Sequence, residues 1–144
     1  MESGGRAIVA SPAPMTSPLP DLSGLTILVI EDDPDGLHLL TTAITACGAR
    51  VVTASDTTIA RGHLETVKLD LVVTDLGLPG ETGTSFVSWL RTPGGKGATL
   101  PIIVVTGYPK EFPVASFGGF AAYFQKPLDF DNVCETVRAI LRPN

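Results

Sequence analysis

Short apolar runs alternate along this chain with longer stretches in which apolar residues recur every three or four positions. Five runs have strand length: Thr26 to Ile30, a run around Val51-Val52, Leu71 to Thr74, Ile102 to Val105, and Ala121 to Gln125. Most are continuous rather than alternating, as expected of strands covered on both faces. Between them, Leu37, Leu40, Ile44 and Cys47 fall on one helical face, and Val133, Val137, Ile140 and Leu141 on another. Phe86, Trp89 and Leu90 mark a further helix, with both rings expected in the core. Asp33 reads as an N-cap with Pro34 in the first helical position, and Gly48 as the residue that ends that helix. Ser55 or Asp56 caps a second helix reaching about Thr66. Asp129 or Asp131 caps the last one. Strand alternating with helix predicts an α/β domain with a parallel sheet.

Two stretches depart from this rhythm. Residues 1–21 hold Pro12, Pro14, Pro18 and Pro20 with Gly, Ser and Ala between, and read as a disordered tail before a domain over 22–144. Between Thr106 and Ala121 a crossover helix is required, yet Pro109, Pro113, Gly118 and Gly119 fall there. Proline costs about 3 kcal/mol in a helix interior and glycine about 1. A short or irregular fourth helix is therefore expected, near residues 114–117.

Composition narrows the function classes. The net charge is -5, and the ten Lys and Arg are spread thinly, which argues against a nucleic-acid surface. No apolar stretch nears the roughly 20 residues of a membrane helix. The first ten residues lack the pattern of a secretory signal. Two cysteines make no disulfide framework, and a reduced cytoplasmic setting is the default. Cys47 and Cys134 are expected at opposite ends of the domain. His38 and His63 read as surface or boundary residues rather than phosphohistidines.

The ends of the runs carry the chemistry. The first runs into Glu31-Asp32-Asp33, the third into Asp75, the fourth into Thr106, the fifth into Lys126-Pro127. Ligands of an open parallel sheet bind outside the carboxyl ends of its strands. These residues are thereby predicted to meet at one edge. Clustered carboxylates need a cation, and hard oxygen donors suit Mg²⁺. A dication, an ammonium and a hydroxyl together suit a phosphoryl group, with Asp75 as its acceptor.

These residues sit in segments that resemble the response regulator receiver domain of two-component signalling, over about Gly24 to Arg142. Ile27 to Pro34 resembles its acidic first-strand motif, and Leu71 to Gly80 its phosphoacceptor motif. Pro101 to Gly107 resembles its switch-threonine strand, and Tyr123 to Leu128 its lysine-proline motif. Asp32, Asp75, Thr106 and Lys126 follow one another at family-like intervals of 43, 31 and 20 residues. The resemblance implies a flavodoxin-like, CheY-like (βα)5 fold, doubly wound, with strand order 2-1-3-4-5. It implies phosphorylation of Asp75 by a histidine kinase, or by a hybrid kinase or phosphotransfer protein. It implies Mg²⁺ held by Glu31, Asp32, Asp75 and the Gly77 carbonyl, with Asp32 a direct ligand and Glu31 holding a metal-bound water. Asp33 is then mainly a helix cap. Lys126 would contact Asp75 and later the phosphoryl group. Thr106 would move toward that group, and Tyr123 would swing from exposed to buried.

The resulting expectation is a stand-alone receiver acting as a switch or phosphorelay module toward a downstream protein. It would be no enzyme beyond its own phosphorylation and dephosphorylation. One rival is a non-turnover receiver-like scaffold, against which the complete acidic, Thr and Lys set argues. The other is a small Mg²⁺-dependent aspartyl phosphatase of the haloacid-dehalogenase type. That class needs an Asp-x-Asp-x-Thr/Val setting after its first strand, and Asp33-Pro34-Asp35-Gly36-Leu37 lacks the Thr or Val.

Overall fold

Valine, isoleucine and leucine fill both faces of the central strands, so a sheet covered on both sides is the arrangement that buries them. The computed structural model of the chain describes residues 19–107 and 119–143. Its elements are β1 (Thr26–Ile30), α1 (Pro34–Ala46), β2 (Arg50–Ala54), α2 (Thr57–Thr66), β3 (Leu71–Asp75), α3 (Gly83–Leu90), β4 (Ile102–Thr106), β5 (Ala122–Gln125) and α4 (Phe130–Leu141). The strands form one parallel sheet in the order β2-β1-β3-β4-β5. The chain adds β2 on one side of β1 and β3, β4 and β5 on the other, and that switch of winding between β1 and β3 is the point at which such sheets open a crevice.

Period-two alternation sorts the core into two layers. Ile27, Val29, Leu71, Val73, Ile103 and Val105 pack under Leu40, Ile44, Val133 and Val137 of α1 and α4. Leu28, Ile30, Val72, Ile102 and Val104 pack under Ala60 and Leu64 of α2 and Phe86, Val87 and Leu90 of α3. β3 and β4 are buried along their whole length, whereas the edge strands β2 and β5 are partly open.

Each described helix begins on a side-chain cap. Asp33 accepts from the Gly36 N–H, Asp56 from Ile59, Thr82 from Ser85 and Asp129 from Asn132. Such caps contribute about 1 kcal/mol each. Gly48 follows the end of α1 at φ +98°, and a Cβ there would lie 3.3 Å from Ser23 backbone atoms. Leu22 is fully buried, and Arg142 at the end of α4 donates to the carbonyls of Asp21 and Ser23.

Several expectations change. The third strand ends on Asp75 itself, one residue later than expected, and the Asp70 carboxylate just ahead of the strand accepts from the Thr26 N–H at 2.8 Å. Trp89 is 41% exposed. The buried stripe of α3 is Phe86, Val87 and Leu90, and Trp89 lies on its flank, stacked on Phe86 with centroids 5.7 Å apart. Cys47 and Cys134 do not lie at opposite ends. α1 and α4 share one face of the sheet and bring both cysteines, as free thiols, into one cluster. Burial first, and the neighbouring Cys47 next, push the Cys134 thiol up to about 12. His38 is exposed, and His63 Nε2 lies 2.9 Å from the Thr53 carbonyl at the sheet edge. Of the expected tail over residues 1–21, residues 1–18 lie outside the described residues, as does the irregular helix expected near 114–117. No described helix is long and apolar enough to cross a membrane.

Candidate functional site

Glu31 directly follows β1, Asp75 ends β3, Thr106 ends β4, and Lys126 directly follows β5. The parallel register sets these strand ends at one edge of the sheet: Asp75 pairs with Val105, and Thr106 with Gln125. They surround an open crevice of about 530 Å³, lined by Glu31, Asp32, Asp75, Gly77, Gly107 and Lys126 among others.

Lys126 holds the centre. Its Nζ donates to Glu31 Oε1 and to Asp75 Oδ2, each at 2.7 Å. Burial works against its charge, but the two carboxylates outweigh burial and raise its pKa. The second oxygen of Asp75 accepts from the Gly77 N–H at 2.9 Å. Glu31 is 2% exposed, and this desolvation holds its carboxyl above the usual range. Lys126 and the Asp33 N–H, at 3.2 Å from Oε2, pull the other way without prevailing. Gly36 keeps the space beside Glu31 clear, since a Cβ there would come within 3.3 Å of Oε1. Asp33 faces α1 as its cap and is exposed.

Glu31, Asp32 and Asp75 each offer one oxygen such that all three lie within 4.8 Å of one another. Two are buried and Asp32 is exposed. Lys126 is the only cation that the ion pairs among described residues set against these three carboxylates. A surplus of hard oxygen donors around a partly open cleft fits a small dication that retains water ligands.

Thr106 is fully buried. Alternation along β4 and its register with β5 put Thr106 and Tyr123 on the same face of the sheet. Tyr123 is half-buried against the α2–α3 layer, neither fully exposed nor fully covered. Glu31, Asp32, Asp75, Gly77, Thr106 and Lys126 thus lie at one edge of the sheet, and Tyr123 lies three residues before Lys126 on β5.

Sequence reading missed Arg61 and Glu81. Arg61 Nη2 donates to both carboxylate oxygens of Glu81 at 2.8 Å, tying α2 to the loop between β3 and α3. The only signal in the sequence is that Glu81 is the first polar side chain after Asp75.

A family model described as the response regulator receiver domain matches residues 27–138. The chain is 34% identical over 118 residues to the transcriptional regulatory protein KdpE of Staphylococcus aureus, covering 81% of this chain and 49% of that protein. It thus spans about half the length of that relative. Among solved structures, the chemotaxis response regulator CheY4 of Vibrio cholerae superposes with a TM-score of 0.72 at 21% identity, over 81% of this chain and 98% of that one. The receiver domain of a sensor histidine kinase from Pseudomonas aeruginosa, with a magnesium ion coordinated in its active-site cleft, gives 0.72 at 24% identity, over 81% and 96%. At these identities the two structures speak for the fold.

Proposed function

We propose that this chain, which belongs to the response regulator receiver domain family, takes a phosphoryl group onto Asp75 and acts as a switch or relay through it. The observation that carries the reading is the joint placement of three carboxylate oxygens within 4.8 Å and an ammonium bonded to two of those carboxylates.

The residues present fit a hard dication, and Glu31, Asp32, Asp75 and the Gly77 carbonyl are the groups proposed to hold Mg²⁺. When bound, Mg²⁺ neutralises carboxylate and phosphoryl oxygens and so lets an anionic donor approach. The chain's own residues supply the rest. Asp75 is held at both oxygens, by Gly77 and by Lys126, so its orientation is set before a donor arrives. A carboxylate oxygen retains a second lone pair while accepting one hydrogen bond. That pair attacks phosphorus as the bond from phosphorus to the donor nitrogen breaks. Lys126 then exchanges part of its contact with Asp75 for a phosphoryl oxygen. Thr106 supplies a hydroxyl from the neighbouring strand end. Tyr123 shares its face and follows it.

The donor proposed is a phosphohistidine of a histidine kinase, a hybrid kinase or a phosphotransfer protein, and the recipient of the signal is a downstream protein. Catalysis by this chain is confined to its own phosphorylation and dephosphorylation. Intact mass after incubation with a small phosphodonor tests the reading. Wild type gains one phosphoryl group with Mg²⁺ and none in EDTA, and Asp75→Asn gains none. Labelling retained in Asp75→Asn, or equal labelling in EDTA, overturns it.

A further inference from the structure

Arg61 lies on α2, outside the crevice, yet it is bound to the loop that closes one side of it. From Leu76 to Gly80 that loop reads Leu-Gly-Leu-Pro-Gly, with no polar side chain. Leu76 and Leu78 are buried and fix its inner side. Gly80 takes φ +80°, in open space, so little on the outer side restrains the backbone there. Glu81 is the first side chain after Asp75 able to make a directed polar bond. Arg61 Nη2 donates to both its oxygens at 2.8 Å, and Ser85 Oγ to one of them at 3.2 Å.

Arg61 is itself held. Its guanidinium carbon sits 4.6 Å from the centroid of the Trp89 ring and 5.7 Å from that of Phe86, while its Nε is buried without a hydrogen-bond partner. A guanidinium that leaves one donor unpaired while lying against two rings is placed by the rings as much as by its carboxylate. Arg61 thereby joins α2, α3 and the loop at one point. Four residues upstream of Glu81 is Gly77, whose N–H holds Asp75.

We propose that Arg61 is a positioning residue for the phosphoacceptor site: by holding Glu81 it fixes the loop that aims the Gly77 N–H at Asp75 and the Gly77 carbonyl at the cation. The second half rests on the preceding reading of Gly77 as a metal ligand. Two consequences of removing Arg61 have opposite sign. Losing a positive charge makes the acidic crevice more attractive to a dication. Releasing the loop makes one ligand less well placed. Exposed charges are screened over about 8–10 Å at ordinary salt, whereas supporting residues around metal ligands are worth about tenfold or more in affinity. Positioning therefore sets the sign.

The test uses the full chain in four forms: wild type, Arg61→Ala, Arg61→Lys and Glu81→Gln. Mg²⁺ affinity is measured by calorimetry, and amide exchange over residues 76–82 is measured without metal. Arg61→Ala is expected to weaken Mg²⁺ about tenfold and to speed exchange of the Gly77 amide. Glu81→Gln should shift both in the same direction. Arg61→Lys, which keeps the charge without the flat guanidinium, should recover part of the loss. Mg²⁺ affinity unchanged or tighter in Arg61→Ala overturns the proposal and leaves Arg61 a stabilising or purely electrostatic role. Wild type that binds no Mg²⁺ overturns the metal reading instead. The Gly77 exchange rate then decides for the clasp formed by Arg61 and Glu81 if Arg61→Ala speeds it and against that clasp if it does not.

Discussion

Lys126 and Asp32 carry opposite charges at one crevice and should respond oppositely to removal. Lys126 bonds two carboxylates of which one is almost wholly buried, so Lys126→Ala leaves Glu31 and Asp75 facing each other unneutralised. Breaking a fully buried pair costs about 3–5 kcal/mol. Lys126 is 34% exposed, so a loss of about 2 kcal/mol is expected in a metal-free denaturant melt. Asp32 is exposed and adds to the repulsion. Asp32→Ala should leave metal-free stability unchanged or raised, while abolishing most of the stabilisation by Mg²⁺. A metal-free Asp32→Ala protein that melts well below wild type would refute this assignment. Glu81 gives a pH signature. Burial raises its carboxyl, but Thr57, Arg61 and Ser85 together hold it below the usual carboxylate range. The unfolded chain then takes up the proton first, so the clasp contributes stability above about pH 4.5 and loses it as pH falls further. The stability difference between wild type and Glu81→Gln should be present at neutral pH and vanish in acid. At this scale the sequence was most informative where chemistry is confined to strand ends. Asp75, Lys126 and Glu31 are legible because a run that stops at a charge in a parallel sheet has one place to put it. Arg61 was not, because its partner lies 20 residues away and its placement depends on how α2 and α3 lean together.

At the scale of elements, caps and breaks decided the boundaries. Asp33-Pro34 and Gly48 bracket α1 as their chemistry requires, and Asp56 and Asp129 prevail over Ser55 and Asp131 because each reaches the N–H three residues ahead. Trp89 was misread for a physical reason. On an eight-residue helix the positions three and four after Phe86 straddle the buried stripe, and hydrophobicity alone does not say which one faces in. Leu90 does, and Trp89 becomes the platform for Arg61. The cysteines were misplaced because distance along each helix says nothing of how two helices on one face are offset. Gly48 offers a test of the α1 boundary. Its positive φ and the nearby Ser23 backbone both oppose a side chain. Gly48→Ala should cost at least about 1 kcal/mol in a denaturant melt, whereas Gly62→Ala, in open space on α2, should be neutral or stabilising. Equal effects at the two positions would show that the turn after α1 tolerates a Cβ.

Over the whole molecule, the site is a place where four of the five strands act together. The ends of β1, β3, β4 and β5 converge there from positions spread between Glu31 and Lys126. The sheet is a single body, with both core layers running through β1, β3 and β4. A ligand that binds only the assembled site therefore opposes unfolding of the entire domain rather than of one element. At a ligand concentration 100 times its Kd the stabilisation is about 2.7 kcal/mol. For a domain of this size, that corresponds to a rise in Tm of roughly 10 °C. Mg²⁺ with beryllofluoride, a phosphoryl mimic, should accordingly move one cooperative transition upward by that order in wild type. Asp75→Asn should lose the beryllofluoride part of the shift and keep at most a weakened response to Mg²⁺. A scan in which only a minor early transition moves would mean that the strand ends respond separately. A full shift in Asp75→Asn would mean that the mimic binds elsewhere. The single shifted transition is expected because the site is assembled from separate pieces of chain: each loop in the crevice is held by a different strand of the same sheet.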